Sequence, residues 1–90
     1  MFDVYTMSCK KETYVGHTAN LNQRKSIHKA RFLEKTYGSD YYVYRVLRKL
    51  TKSFDKIEFK VIKRFSDKNS ALLYEEKMIR KIATLNTSKR

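Results

Sequence analysis

Three stretches of the chain have the pattern of β-strands. Phe2 to Met7 and Glu12 to Gly16 are rich in aromatic and β-branched residues and flank the polar loop Ser8 to Lys11, so they predict a β-hairpin. Apolar and charged residues then alternate from Ile57 to Val61, as in a strand with one buried face. We expect this third strand to join the hairpin in one antiparallel sheet.

Two further stretches have the spacing of helices. Thr18 or Asn20 is placed to cap a helix that runs to about Lys35 and ends in the segment Thr36 to Ser39. Its apolar side is expected to consist of Leu21, Ile27, Ala30 and Leu33. Apolar residues next recur at i, i+3, i+4 and i+7, the stripe of a surface helix. They are Val43, Val46, Leu47 and Leu50, with Arg45, Arg48, Lys49 and Lys52 directed elsewhere.

A last helix is expected to start at Ser66 or Asp67, and one carboxylate on it stands in an unusual place. At about 100° per residue, an arc of roughly 120° holds only apolar residues apart from Glu75. The apolar members are Ala71, Leu72, Met78, Ile79 and Ile82. Glu76 lies about 100° further round, outside the arc.

A carboxylate that faces a core requires a partner, because an ionised group is costly to bury alone. One possible partner is a buried arginine, Arg24 or Arg31. The other is a hard cation, since Mg²⁺ or Mn²⁺ is suited by one carboxylate, several waters and a substrate phosphate. The residues alone leave both alternatives open.

The charge of the chain indicates a polyanionic partner. It has 90 residues with 21 Lys and Arg against 9 Asp and Glu, a net charge of +12 that exceeds what solubility requires. The basic residues are spread along the chain among seven tyrosines and five phenylalanines, which favours nucleic acid. The alternatives are a solvated basic surface and, less favoured, an anionic membrane surface, because no basic helix has a broad exposed apolar face.

Length and composition predict a single domain over residues 1 to 90. The chain has no proline, repeat or linker, and only a frayed tail is expected, from Thr87 to Arg90. No stretch is apolar enough for a membrane span, and Met1 to Asp3 do not begin a signal sequence, so we expect a soluble intracellular protein, with nucleus and cytoplasm both open. Cys9 is the only cysteine and is expected to be an ordinary loop thiol.

Candidate chemistry concentrates between Tyr5 and His28. Tyr5 precedes Tyr14-Val15-Gly16 by nine residues, and a hairpin would bring the two phenols near each other. Arg24 and His28 are four residues apart and share one helix face. Phenols, a guanidinium and an imidazole together can bind and attack a phosphodiester.

These residues, with Thr18, Glu75 and Leu85-Asn86, resemble the GIY-YIG nuclease family over essentially the whole chain. The first motif of that family normally reads Gly-Ile-Tyr and here reads Asp3-Val4-Tyr5, so the tyrosine is kept and the leading glycine is not. Valine for isoleucine in Tyr14-Val15-Gly16 conserves volume closely enough to be harmless. The short basic chain is most similar to the stand-alone versions from mobile elements, viruses or phages.

The resemblance implies an α+β fold with a small three-stranded antiparallel sheet flanked by helices. It implies a metal-dependent DNA endonuclease with one Mg²⁺ or Mn²⁺ per active site. The expected substrate is duplex or branched DNA. The separate targeting domain of many relatives is missing from this chain, so a targeting partner protein is a further possibility, and the oligomeric state is open.

Roles for individual residues follow from this resemblance and from the needs of hydrolysis. Glu75 is expected to hold the metal, and the guanidinium of Arg24 to clamp the scissile phosphate. Tyr14 is expected to hydrogen-bond the phosphate or the attacking water. Tyr5 is the expected general base, although a free phenol with a pKa near 10 is a poor base at neutral pH.

Something must therefore assist Tyr5. We expect the metal and Arg24 to lower its pKa, or else His17 or His28 to relay the proton. His28, one turn after Arg24, is expected to contact phosphate or to relay a proton; the alternative is a surface histidine. Basic or polar residues expected at the nucleic acid are His17, Lys25, Arg31, Arg48, Lys49 and Asn86, with Lys10 and Lys11 as further backbone contacts. Asn86 is also expected to fix the end of the last helix against the site.

Two other functions compete with this reading. One is a non-catalytic basic nucleic-acid-binding module, in which Glu75 is an ion-paired core residue and aromatic side chains are exposed on a sheet face. The other is a nuclease fold that serves only as an interaction domain. The presence of Tyr5, Tyr14, Arg24, His28 and Glu75 together favours the enzyme over this last alternative.

Overall fold

The computed structural model describes residues 1–86 of the chain. Two strands, β1 (Phe2–Cys9) and β2 (Glu12–Thr18), form a hairpin, and β3 (Glu58–Phe65) pairs with the other edge of β1. All pairing is antiparallel, and the spatial order is β2-β1-β3. The predicted α+β fold with a three-stranded sheet is confirmed. The frayed tail expected from Thr87 to Arg90 lies outside the described residues.

Three helices cover the sheet: α1 (Leu21–Phe32), α2 (Tyr42–Leu50) and α3 (Lys68–Ile82), and a single 3-10 turn covers Phe54–Lys56. Asn20 caps α1, where its side chain accepts a hydrogen bond from the Gln23 amide. Asp67 caps α3 in the same way, through Ser70. Both caps are among the residues that the sequence offered for these positions. Among residues 1–86, no helix is long and apolar enough to cross a membrane.

Helix α1 is shorter than expected and buries different residues. It ends at Phe32, and Glu34 just beyond it has φ of 61°, which stops the helix before Lys35. Its buried residues are His28 and Phe32. The expectation that Ile27, Ala30 and Leu33 face the core is wrong, since the first two are half-buried and Leu33 is 42% exposed.

Two separate cores lie on the two faces of the sheet, because neighbouring strand residues point to opposite faces. On one face, α1 and α2 pack over Tyr5, Met7 and Cys9. On the other face, α3 packs over Val4 and Val15 through its buried Ala71. The central strand β1 is thus buried on both sides, and Cys9 is a core residue at its end, not the loop thiol expected.

The apolar stripe of α2 confirms the sequence pattern, with Val43 and Leu47 buried and Val46 and Leu50 packed against the core. Full burial of a side chain such as that of Leu47 stabilises the fold by roughly 1.5–3 kcal/mol. The pattern left out Tyr44, which is buried beside them. It lies about 60° beyond Leu47 around the helix, at the edge of the stripe.

A β-bulge lies beside Tyr5. Val4 pairs with Lys63 and Tyr5 pairs with Val61, so Ile62 is the extra residue of β3. Phe59 before the bulge packs with the α1 and α2 core, whereas Ile62 and Phe65 pack against α3. The bulge therefore lets one strand contribute to both cores.

Candidate active site

His28 lies at the centre of a buried polar cluster between β1, α1 and α2. Its Nε2 is 2.7 Å from the Tyr5 hydroxyl and its Nδ1 is 2.7 Å from the Tyr44 hydroxyl. The His28 side chain is 2% exposed, so the alternative of a surface histidine is wrong. The ring edges of Tyr14 and Phe59 also surround it, at centroid distances of 5.7 and 5.9 Å. Both imidazole nitrogens are satisfied by phenols, as a buried polar group requires.

Burial keeps His28 neutral at physiological pH. Desolvation is the main cause that lowers its pKa to about 4, and the positive charges of Arg24 and Arg31 act in the same direction. A neutral imidazole has one N–H donor and one acceptor nitrogen. His28 therefore donates to one of the two phenols and accepts from the other.

The Tyr5 phenol stays protonated. Burial raises its pKa well above the usual value, and the positive charge of Arg24 only partly opposes this effect. Arg24 thus acts in the expected direction but does not offset burial, and the expected contribution of the metal stays a prediction. Burial likewise raises the pKa of Tyr14 to about 12, with further contributions from Tyr44 and Glu75. The sequence also offered His17 or His28 as a proton relay for Tyr5. Of these two histidines, His28 lies at hydrogen-bond distance from the Tyr5 hydroxyl.

Gly16 makes room for the two phenols. It pairs with Tyr5 across the hairpin, and a Cβ at this position would lie 2.8 Å from the Tyr5 hydroxyl oxygen and 3.0 Å from the Tyr14 ring. Any larger residue would displace the Tyr5 ring, which His28 holds from the other side. The glycine of Tyr14-Val15-Gly16 is required by this close approach.

The leading glycine of the first motif is not needed here. Asp3 occupies a regular strand position, paired with Thr18 on one side and Arg64 on the other. Its carboxylate lies 3.0 Å from the Arg64 Nε. Asp3 in place of the glycine is therefore compatible with regular strand pairing at that position, and the bulge beside Tyr5 comes from the extra residue Ile62 of β3.

Glu75 pairs with a histidine on the opposite face of the sheet. Its Oε1 is 2.9 Å from His17 Nδ1, and the two side chains are 15% and 25% exposed. His17 alternates with Gly16 along β2, so it points toward α3 while Tyr5 and Tyr14 point toward α1. Although it lies on the other face, the negative charge of Glu75 contributes to raising the pKa values of Tyr5 and Tyr14, after the larger effect of burial. The partner of Glu75 is thus His17, and neither Arg24 nor Arg31, the arginines considered from the sequence, pairs with it. Glu76 is exposed, as expected.

The donor set around Glu75 fits a hydrated divalent cation. One carboxylate oxygen is engaged by His17, and the carboxylate is partly open to solvent. Within residues 1–86, no group of three His, Cys, Asp or Glu side chains forms a closed metal cage. Mg²⁺ usually keeps several waters and binds through one or two carboxylates plus substrate phosphate, so this open arrangement suits it.

The remaining predicted residues have varied surroundings. Lys25 Nζ lies 5.2 Å from the Phe59 ring centroid, and Lys49 is exposed. Arg48 donates to the carbonyls of Arg31, Phe32 and Ser39, so its guanidinium fastens the end of α1 to the loop that follows.

Asn86 is bound to the backbone of β2. Its side-chain oxygen accepts from the Val15 amide and its side-chain nitrogen donates to the Val15 carbonyl, both at 2.8 Å. Thr84 and Leu85 donate their backbone N–H groups to the Thr13 carbonyl. The segment after α3 is thereby fixed along the edge of β2, next to the site.

Comparison with known protein families agrees with this geometry. The family model for the GIY-YIG catalytic domain matches residues 1–89, essentially the whole chain. The chain belongs to the GIY-YIG family. A GIY-YIG domain is an endonuclease domain that acts on DNA, and nucleases of this family generally use divalent metals. No match was found among curated proteins or solved structures.

Tyr44 is the member of this candidate site that the sequence pattern did not predict. Its hydroxyl completes the hydrogen bonding of His28, and burial raises its own pKa, against the effect of the nearby positive charge of Arg31. The available signal was its position at the edge of the α2 stripe, one residue after Val43. If the apolar stripe of α2 had been taken as about 60° wider, Tyr44 would have been predicted as a buried residue.

Proposed function

We propose that this GIY-YIG domain hydrolyses DNA phosphodiester bonds by means of Tyr5, His28 and one divalent cation at Glu75. The observation that carries the proposal is the hydrogen-bonded chain from Tyr5 through neutral His28 to Tyr44. A buried phenol joined to an acceptor imidazole is a proton relay. Arg24 stands within electrostatic reach of both phenols and of His28.

The relay works in one tautomer of His28. With the ring proton on Nδ1, the ring donates to Tyr44 and its Nε2 accepts from the Tyr5 hydroxyl. The free lone pair of the Tyr5 oxygen then accepts the proton of an attacking water while the phenol proton passes to His28. Tyr44 acts as a positioning residue, because its hydroxyl stabilises this tautomer.

The other site residues bind the reacting phosphate. The Arg24 guanidinium matches two phosphoryl oxygens and offsets the charge that develops on them. In this proposal Tyr14 donates its phenol proton to the same phosphate. When bound at Glu75, the cation supplies further charge stabilisation, and His17 holds the carboxylate in orientation.

The atoms balance in a single displacement. The water oxygen forms a bond to phosphorus, the bond to the 3′ oxygen breaks, and the products are a 5′-phosphate and a 3′-hydroxyl. The proton of the water reaches Tyr5 as the proton of Tyr5 reaches His28, and the 3′ oxygen takes a proton from solvent. His28 then returns its extra proton to solvent by way of Tyr5, which restores the neutral imidazole.

Incubation with supercoiled plasmid tests this function. Wild-type protein is expected to nick the plasmid with Mg²⁺ or Mn²⁺ and to be inert with chelator, and Glu75→Ala to reduce nicking by at least about a hundredfold. Glu76→Ala, one residue further on the exposed side of α3, is the matched control and should nick at the wild-type rate. Unchanged nicking by Glu75→Ala contradicts the cation role. Salt-sensitive binding without cleavage in any divalent metal would instead favour the nucleic-acid-binding module.

A further inference from the structure

The outer face of α1 forms one wall of an apolar groove that the catalytic chemistry does not use. Ile27 and Ala30 face this groove, and Arg31 and Tyr37 flank them. Its volume is about 420 Å³. The side chains of Gln23 and Ser26 add polar groups to it. We call this feature the Tyr37 groove.

Tyr37 is open to solvent although the loop that carries it is held in place. Its ring is 84% exposed and packs edge-on against Tyr41 at 6.3 Å. Arg31 donates from Nε to the Tyr37 carbonyl at 3.2 Å, and its guanidinium lies 5.6 Å from the Tyr41 ring centroid. Gly38 is in the left-handed region with φ of 93°, where a Cβ would lie 3.0 Å from the Arg31 Nε. The loop therefore presents a flat aromatic face on a fixed base.

The Tyr37 groove adjoins the active site through Arg31. Arg31 lies about one turn after His28 on α1, and Gln23, which also lines the groove, is the neighbour of Arg24 in the chain. The positive charge of Arg31 contributes to lowering the pKa of His28. Arg24, the proposed phosphate clamp, lies on the same helix. A DNA strand whose phosphate is held at Arg24 thus passes close to the groove.

We propose that the Tyr37 groove binds one unpaired nucleobase of the DNA strand that is cut. An exposed tyrosine stacks on any base, an apolar floor excludes water, and the guanidinium of Arg31 adds a cation beside the base and its phosphate. The net charge of +12 complements the strand. Bases inside a duplex are already stacked on each other and cannot enter. The substrate class is DNA with an unpaired nucleotide beside the cut; this rests on the proposed nuclease function for the position of the phosphate.

Binding in chelator tests the groove without cleavage. Fluorescence anisotropy would compare three labelled DNAs: a blunt duplex, a fork of the same sequence with one unpaired strand, and that fork with abasic sites at its first unpaired positions. Wild-type protein should bind the intact fork most tightly. Tyr37→Ala should weaken fork binding by about tenfold and blunt-duplex binding by less than about twofold, because one stacked base is lost.

Two further variants control for folding and chemistry. Tyr42→Ala removes a tyrosine that is 45% exposed and lies outside the groove, so it should keep the wild-type preference for the fork. Tyr37→Trp should also keep it, because an indole stacks as well as a phenol. Circular dichroism would establish that all variants are folded.

Several results would overturn the groove proposal. They are equal losses on fork and duplex, no loss with Tyr37→Ala, and equal binding of the intact and abasic forks. If wild-type protein nicks plasmid but shows any of these results, the groove fails and the nuclease stands. If Tyr37→Ala loses the fork preference but wild-type protein cuts nothing, the nuclease fails and the base-binding groove stands.

Discussion

The two faces of the sheet hold the two halves of the site in opposite surroundings. Tyr5 and His28 are 1% and 2% exposed, inside the larger core. His17 and Glu75, on the face covered by α3, are 25% and 15% exposed at the side-chain level. The groups proposed to relay a proton are therefore part of what stabilises the fold, whereas the His17–Glu75 pair, which is more open to solvent, contributes less. We therefore expect mutations on the face covered by α1 and α2 to lower both stability and activity. Mutations on the face covered by α3 should lower activity with little effect on stability.

The strongest test of this contrast is His28→Ala compared with Glu75→Ala. Loss of the imidazole leaves two buried hydroxyls without partners and opens a cavity, so the free energy of unfolding should fall by about 4 kcal/mol. Glu75→Ala should change it by less than about 1 kcal/mol. Urea denaturation followed by circular dichroism measures both. Similar values for the two variants would show that the faces do not differ.

Acidification should act mainly through the buried face. The pKa of His28 is about 4 in the folded protein and near 6.5 in the unfolded chain, so the unfolded chain binds more protons between these values. Stability is complete above pH 6.5 and falls as the pH is lowered toward 4, by about 3 kcal/mol in total for this group. His28→Gln cannot titrate, so its stability should depend less on pH over this range.

His17→Gln provides the matched control for that experiment. It removes the other histidine and leaves His28 in place, so the loss of stability between pH 6.5 and 4 should persist. If this loss disappears in His17→Gln instead, the buried histidine is not its source.

Tyr44→Phe should have an intermediate effect. It removes one hydroxyl and leaves Nδ1 of His28 without a partner, so we expect a loss of about 1–2 kcal/mol in stability and about tenfold in nicking rate. A positioning role also predicts a shifted pH profile of nicking, because the tautomer of His28 is no longer fixed. Tyr42→Phe removes an exposed hydroxyl and should change neither quantity.

The smallest change in stability is expected for His17→Ala on the more open face. Its partner Glu75 can be solvated in its place, so the free energy of unfolding should stay within about 0.5 kcal/mol of wild type. The orientation of the carboxylate is lost, and the Mg²⁺ concentration for half-maximal nicking should rise by about tenfold. An unchanged Mg²⁺ requirement would mean that His17 does not support the cation ligand.

The same contrast explains which parts of the molecule could be predicted. Glu75 was found because a helix repeats at a fixed angle, so one carboxylate among apolar residues is visible in the sequence. The strands followed from their composition. His28 was not seen as a core residue, because its burial depends on Tyr5 and Tyr44, which come from two other elements.

Long-range hydrogen bonds from side chains to the backbone cannot be predicted from the sequence either. Arg48 reads as a surface cation, yet its guanidinium is engaged by three carbonyls. Asn86 binds Val15 across 71 positions of sequence. Such contacts exist only once the chain has folded, whereas residue spacing reports local geometry.

The division of the site between the two faces of β2 has a consequence during synthesis. Both phenols and the buried imidazole precede α2, whereas Glu75 and the Asn86 contact with Val15 follow β3. On the ribosome, Tyr5, Tyr14 and His28 are therefore synthesised well before Glu75, the proposed cation ligand. If Glu75 holds the cation as proposed, cutting can begin only after α3 has docked on the sheet, so an unfinished chain would not yet cleave nucleic acid.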